Sequence, residues 1–366
     1  MNEILIVGAG LSGATIAEHY ARDSVKVVVV DKRDHIGGNV YDEIDKDTNI
    51  RVSRYGAHIF HTNDKGVWDY VAAFAKWRRW DHCVVADISG MHVPIPVNIT
   101  TVNTLYGESL ETENEMKEWI ENERIVFARP RNSEEVALSR VGLRLYEELF
   151  APYTFKQWAK TAKELDPSVL QRIPIRTGFD DRYFSDKYQG LPENGYTDLV
   201  TNMLKHPNIT VRLGAAWEDV KDISWNKIIF TGPIDTYFES SGLPRLEYRS
   251  IKFHWERMRN SGYYQQNSVV NYPSATIPYT RCIEYKHFLN QKSSWTIIAK
   301  ETTCDDGEPY YPVPTQKNQD LYKEYAKLAE KEDGVHFIGR LASYKYFNMD
   351  QAIRNAMDYY EKYLKV

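Results

Sequence analysis

A chain of 366 residues, 42% hydrophobic and 27% charged, can bury a sizeable core and is too apolar to be mainly disordered. Its net charge of −5 gives no sign of a nucleic-acid or membrane-surface binder, and no apolar run approaches the roughly 18 residues of a spanning helix. Cys83, Cys282 and Cys304 are far apart and form neither a disulfide framework nor a zinc pattern, and Met1-Asn2-Glu3 lacks the basic region of a signal peptide, so the expected setting is reducing and cytoplasmic.

Ile4 to Val7 reads as a buried strand, and Gly8-Ala9-Gly10-Leu11-Ser12-Gly13 follows at once. Ala14 to Ala21 then reads as helix and Val25 to Val30 as a second strand ending on Asp31. This is the strand–GxGxxG–helix–strand–acid order of a Rossmann dinucleotide site. Gly8 permits the tight turn, Gly10 lets backbone approach a pyrophosphate, and Gly13 lets helix and strand pack. The helix N-terminus favours phosphate, and Asp31 can accept from ribose hydroxyls. Lys32 to Asn39 then carries the pair Gly37-Gly38. That extension resembles FAD enzymes of the glutathione-reductase and amine-oxidase type. No second GxGxxG appears, which argues against a separate NAD(P)H domain.

Tyr55 to His61 holds two histidines three apart, His58 and His61. Asn63 to Lys76 is expected as a helix, Val84 to Val97 as a hairpin turning at Ser89-Gly90, and Leu110 to Ala128 and Ser133 to Leu149 as amphipathic helices. Pro167 to Gly178, with Arg172-Ile173-Pro174-Ile175-Arg176, reads as a basic loop able to close over an anion. Gly195 to Lys205 is helical, with Thr210 to Leu213 and Lys227 to Phe230 as short strands. Arg249 to Trp255, Ser268 to Tyr272, Thr280 to His287 and Ser294 to Lys300 read as an antiparallel sheet. Asp320 to Lys331 is a helix, Val335 to Gly339 a buried strand, and Asp350 to Tyr363 the closing helix. Arg340 is placed to pair with a cofactor phosphate. The 26 tyrosines and 9 tryptophans supply flat faces with polar tips, suited to sugar rings and bases.

Taken together, Val7–Gly13, Lys32–Asn39, Tyr55–Asp64, Lys156–Trp158, Arg172–Arg176, Tyr183–Gly190, Thr231–Asp235, Leu246–Lys252, Pro309–Pro314 and Gly339–Tyr346 resemble the UDP-galactopyranose mutase family from end to end. The resemblance implies an α/β fold: an FAD-binding Rossmann-type domain with a helical insert and an antiparallel sheet domain. The expected boundaries are residues 1–78 for the first part of the FAD domain and 79–165 for the insert. A mobile loop follows at about 166–180, return segments at 181–245, the sheet domain at 246–318 and the last FAD-domain part at 319–366.

It also implies interconversion of UDP-galactopyranose and UDP-galactofuranose, active only with reduced FAD, redox-neutral, through a flavin N5–sugar adduct. The implied catalytic residues are Arg172, Arg281, His58 and His61, with Arg172 reaching the pyrophosphate only on loop closure. Tyr153, Trp158, Tyr183, Arg249, Asn271, Tyr311 and Tyr346 would bind substrate. The cofactor would contact Gly8, Gly10, Leu11, Ser12, Gly13, Asp31, Lys32, Gly38, Asn39, His58, Ile59, Arg340, Asn348 and Met349. The implied partners are a nucleotide sugar, an external reductant such as NAD(P)H or a flavin reductase, and a second copy in a homodimer. Asn348 stands where the family usually has Asp, and His82 where its asparagine falls. The alternatives are the same ring contraction on an N-acetylated or 6-deoxy galactose carried by UDP or dTDP, an amine-oxidase-type FAD oxidoreductase, and a silent nucleotide-sugar binder.

Overall fold

The computed structural model describes residues 3–259 and 262–365; Met1 and Asn2, part of the stretch read for targeting signals, lie outside them. The opening segment folds as its pattern dictates into β1 (Ile4–Val7), α1 (Leu11–Arg22) and β2 (Val27–Asp31). These strands sit in a five-stranded parallel sheet with the spatial order Ile209–Leu213, β2, β1, Lys227–Phe230, Val335–Phe337. Side-chain alternation covers both faces. Ile4, Ile6, Val27 and Val29 pack towards α1 and the helices Tyr196–Leu204 and Met349–Tyr359, while Leu5, Val7, Val28 and Val30 meet Val220 and Phe230 on the other side.

The turn between β1 and α1 needs its glycines. Gly8 has φ +110°, and a Cβ on Gly13 would lie 1.9 Å from the Gly8 carbonyl oxygen. Gly10 caps α1 without a side-chain bond, which leaves the first N–H groups of the helix for a ligand.

A second sheet has seven strands in the order Tyr311–Pro312, Tyr248–Arg259, Trp295–Cys304, Arg281–Glu284, Val269–Asn271, Val84–Ile88, Met91–Ile95. It departs from the expected sheet in two ways. Val269–Asn271 runs parallel to Val84–Ala86, and the hairpin grouped with the helical insert is instead this sheet's edge. The hairpin turns where expected, at Ser89 and Gly90, both with positive φ. A separate small sheet is formed by Phe60–Thr62, Tyr188–Pro192 and Trp77–Arg79. The helix expected over Asn63–Lys76 is shorter, Lys65–Ala72, and Trp77–Arg79 follows it as a strand of this sheet.

The insert packs around Met116, Val136, Val141, Leu145 and Val102. Its first long helix is shorter than expected, Glu113–Glu123, because Thr112 and Glu115 form a reciprocal cap and the chain turns extended at Arg124. The next, Ser133–Leu145, is broken at Gly142 (φ 76°, ψ −176°), where the backbone of Glu123 approaches closely. The chain then stays helical to Trp158.

Candidate functional site

A cavity of about 590 Å³ runs from the β1–α1 turn, past His58 and His61, to the insert. One end is the dinucleotide cradle. Gly8, Gly10, Leu11, Ser12, Asp31, Lys32, Gly38 and Asn39 line it, and a Cβ on Gly38 would lie 3.0 Å from the Gly10 Cα. Asp31 accepts from Ala9 N at 2.8 Å and Arg33 N at 2.9 Å, which aims the carboxylate while leaving acceptor capacity for a ribose. Ile59, Arg340, Asn348 and Met349 line the same cavity, brought there by the far end of the chain. Gly13 does not; it packs behind Gly8. Two nitrogens of Arg340, Nε and one terminal nitrogen, are buried without a protein partner. A guanidinium left so is built for an anionic oxygen, so this end fits a dinucleotide's phosphates.

The other end collects cations and phenols. Arg172 lies 4.0 Å over the Tyr346 ring, and Arg340 lies 4.5 Å over it. Tyr346 stacks on Tyr311 at 5.4 Å. Burial would raise the Tyr346 phenol, but Arg172 and Arg340 outweigh it and bring it down to about 8. Arg281 comes from the sheet, and its Nε donates to Glu301 at 2.6 Å. Glu301 is 1% exposed and directly opposite in register, so Arg281 is fixed before any ligand arrives. Tyr153, Tyr183 and Asn271 complete this end.

In this structure Arg172 already lines the cavity, the position that the expected loop closure would give it. Arg172 is exposed, and its guanidinium rests on the Tyr346 ring. The cation–π contact supplies what a carboxylate would otherwise supply.

His58 sits between the two ends. Its Nδ1 lies 2.8 Å from Gly56 O, and burial, partly countered by that bond, holds its pKa down to about 4. The ring is therefore neutral at pH 7, with the proton on Nδ1 facing the carbonyl. His61 pairs Nδ1 with Asp186 at 2.9 Å and stacks on Phe184 at 3.7 Å.

Two expected substrate residues stand elsewhere. Arg249, 4% exposed, does not line the cavity; it donates to Gln157 O, Asp305 and Thr303 and pins the loop after Cys304. Its charge is consumed by Asp305, a partner 56 residues away. Trp158 packs edge-on against Tyr311 and Tyr346 and shapes the site from outside the cavity. Glu301, Asp186 and Phe184 were not singled out in the sequence. Each acts through a residue that was, and only strand register and loop packing bring them in.

Residues 148–346 match the family described as UDP-galactopyranose mutase, and residues 6–74 an NAD(P)-binding Rossmann-like domain. The chain is 36% identical over 375 residues to a dTDP-fucopyranose mutase of Escherichia coli, covering 100% of this chain and 99% of that protein. It is also 36% identical over 365 residues to a probable UDP-galactopyranose mutase of Klebsiella pneumoniae, covering 99% and 94%. Among solved structures, a reduced UDP-galactopyranose mutase superposes with a TM-score of 0.77 at 15% identity, covering 97% of this chain and 92% of the other. A putative protoporphyrinogen oxidase from Exiguobacterium follows at 0.69 and 13%, covering 98% of each chain. At those identities the likeness concerns the fold.

Proposed function

Since this chain belongs to the UDP-galactopyranose mutase family, we propose that it interconverts the pyranose and furanose forms of a nucleotide-linked galactose, with FAD as the dinucleotide. The carrying observation is one continuous cavity with a dinucleotide cradle at one end, the guanidinium groups of Arg172 and Arg281 at the other, and Arg340 reaching from the cradle to the Tyr346 ring. Reduced FAD, when bound, supplies an electron-rich nucleophile at the anomeric carbon, so the exchange consumes no electrons.

What the chain itself supplies is charge and shape. The departing nucleotide carries a pyrophosphate, and guanidinium forks from Arg172 and Arg281 hold it bidentately while Tyr183, Tyr311 and Tyr346 donate to its oxygens. The same contacts keep the nucleotide in place while the sugar recloses, then allow its return. His58, neutral and with its proton turned to Gly56, adds no positive charge beside the flavin. Phe184 and the paired His61 wall off the sugar from water. An external reductant need act only to restore reduced flavin, not once per turnover.

A 6-deoxygalactose on dTDP is the second reading, favoured by the full-length match to the dTDP-fucopyranose mutase. The test is incubation of dithionite-reduced and oxidised protein with UDP-galactose, UDP-galactofuranose and dTDP-fucose. We expect ring-exchanged product only with reduced protein and no stoichiometric loss of reductant. Equal rates in both redox states, or one reductant consumed per turnover, would refute the proposal.

A further inference from the structure

His82 is the most enclosed of the three histidines lining the cavity, at 4% exposure. It lies between strands Trp77–Arg79 and Val84–Ile88, and its carbonyl accepts from Tyr183 N at 2.6 Å. The backbone is thus tied to the segment that carries a substrate tyrosine. Tyr183, Phe184 and Phe288 surround the ring at centroid distances of 6.0, 6.2 and 6.4 Å.

One ring nitrogen has a partner that decides the tautomer. Nδ1 lies 3.4 Å from Trp80 Nε1. An indole N–H only donates, so Nδ1 offers its lone pair and the single proton of the neutral ring sits on Nε2. The ring stays neutral because burial, then Arg281 and His61, hold its pKa down to about 3. Among the described residues no protein group accepts from Nε2, and the free side of the ring opens to the cavity. Nε2–H is thus a neutral donor with no protein acceptor, available to a ligand oxygen in the cavity.

We propose that His82 donates from Nε2 to a hydroxyl of the hexose and so reads which sugar the site accepts, with Trp80 as the positioning residue that fixes the tautomer. The proposal rests on the nucleotide-sugar reading above. An uncharged donor suits a hydroxyl, since the arginines and tyrosines already serve the pyrophosphate. The requirement is chemical: a sugar lacking that hydroxyl leaves Nε2–H unpaired, and such a site rejects the deoxy analogue more sharply than an apolar pocket would.

The experiment measures kcat/KM of reduced holoprotein on UDP-galactopyranose and its 2-deoxy, 3-deoxy and 6-deoxy analogues, for the wild type, His82→Phe and Trp80→Phe. We expect one analogue to fall roughly 10- to 100-fold in the wild type. His82→Phe should bring the parent sugar down to that analogue's level, erasing their ratio while leaving the other ratios as they were. Trp80→Phe, outside the cavity, should shrink the same ratio at least about threefold. A merely structural role would lower all four sugars together. Unchanged ratios in His82→Phe overturn the proposal. If His82→Phe loses its flavin, Trp80→Phe decides, and an unchanged ratio there overturns it. A wild type inactive on every sugar overturns the functional reading instead.

Discussion

Arg172 and Arg281 carry like charges to the same end of the cavity by different means. Arg281 is held by Glu301 across two strands, and Arg172 by Tyr346. Losing one charge-assisted phosphate contact costs about 1.5–3 kcal/mol, or roughly 10- to 150-fold. We therefore expect Arg172→Ala to lower kcat by that order with flavin content intact, and Arg172→Lys to restore part of it, since an ammonium lacks the fork. Wild-type turnover in Arg172→Ala would make it a surface charge. Glu301→Gln should keep the fold and flavin but lower kcat/KM about 10- to 100-fold, because an amide no longer anchors the Arg281 charge. An unchanged value would mean that register alone aims Arg281.

Tyr346 adds a pH dependence whose sign follows from its neighbours. Arg172 and Arg340 favour its phenolate, bringing the pKa to about 8 against the effect of burial. A phenolate repels pyrophosphate and no longer donates. KM for the nucleotide sugar should therefore rise above about pH 8, and Tyr346→Phe should abolish that rise while raising KM below it. A profile that is flat from pH 7 to 9 in the wild type would count against this account.

At the scale of elements, the two inner glycines of the β1–α1 turn do different work. A Cβ on Gly10 meets only the Gly38 Cα, at 3.8 Å, so the protein has room for it, but it enters the cavity. A Cβ on Gly13 meets backbone at 1.9 Å. We expect Gly10→Val to fold, with melting close to that of the flavin-free wild type, yet to purify without flavin. Gly13→Ala should instead lower folding stability. An intact flavin spectrum in Gly10→Val would sink the assignment of this turn. The break at Gly142 and the reciprocal cap at Thr112 are local signals too, and they set helix lengths that hydrophobic periodicity alone overestimates.

For the whole molecule, the cofactor end is assembled from the first forty residues, from Thr231–Pro233 and from Arg340–Met349. A ligand touching all three ties the chain's two ends together. Bound only by the folded state, it adds about 2.7 kcal/mol at a hundredfold excess over its Kd. We expect flavin-free protein to melt several degrees lower, and added FAD to restore the loss in proportion to the logarithm of its concentration. A melting temperature indifferent to FAD would remove it as the ligand of this cavity.

The sequence by itself determined what depends on neighbours along the chain. The glycine turn, the acid after β2, the alternating strands, the Ser89-Gly90 hairpin and the basic Arg-Ile-Pro run are set by steric and periodic rules acting over a few residues. Most of the site residues that the family resemblance picked out in the sequence also line the cavity. Only the tertiary structure decided their partners. Arg249 was read as a ligand residue, but folding brings Asp305 to it and consumes its charge. Glu301 becomes the anchor of Arg281 through register between strands 20 residues apart. Arg172 is held at the site because a tyrosine 174 positions later offers its face. The protonated nitrogen of His82 is chosen by the indole of Trp80, which the fold sets beside it. Such contacts cost nothing along the chain and so leave no local pattern; they exist only once packing has fixed which surfaces meet.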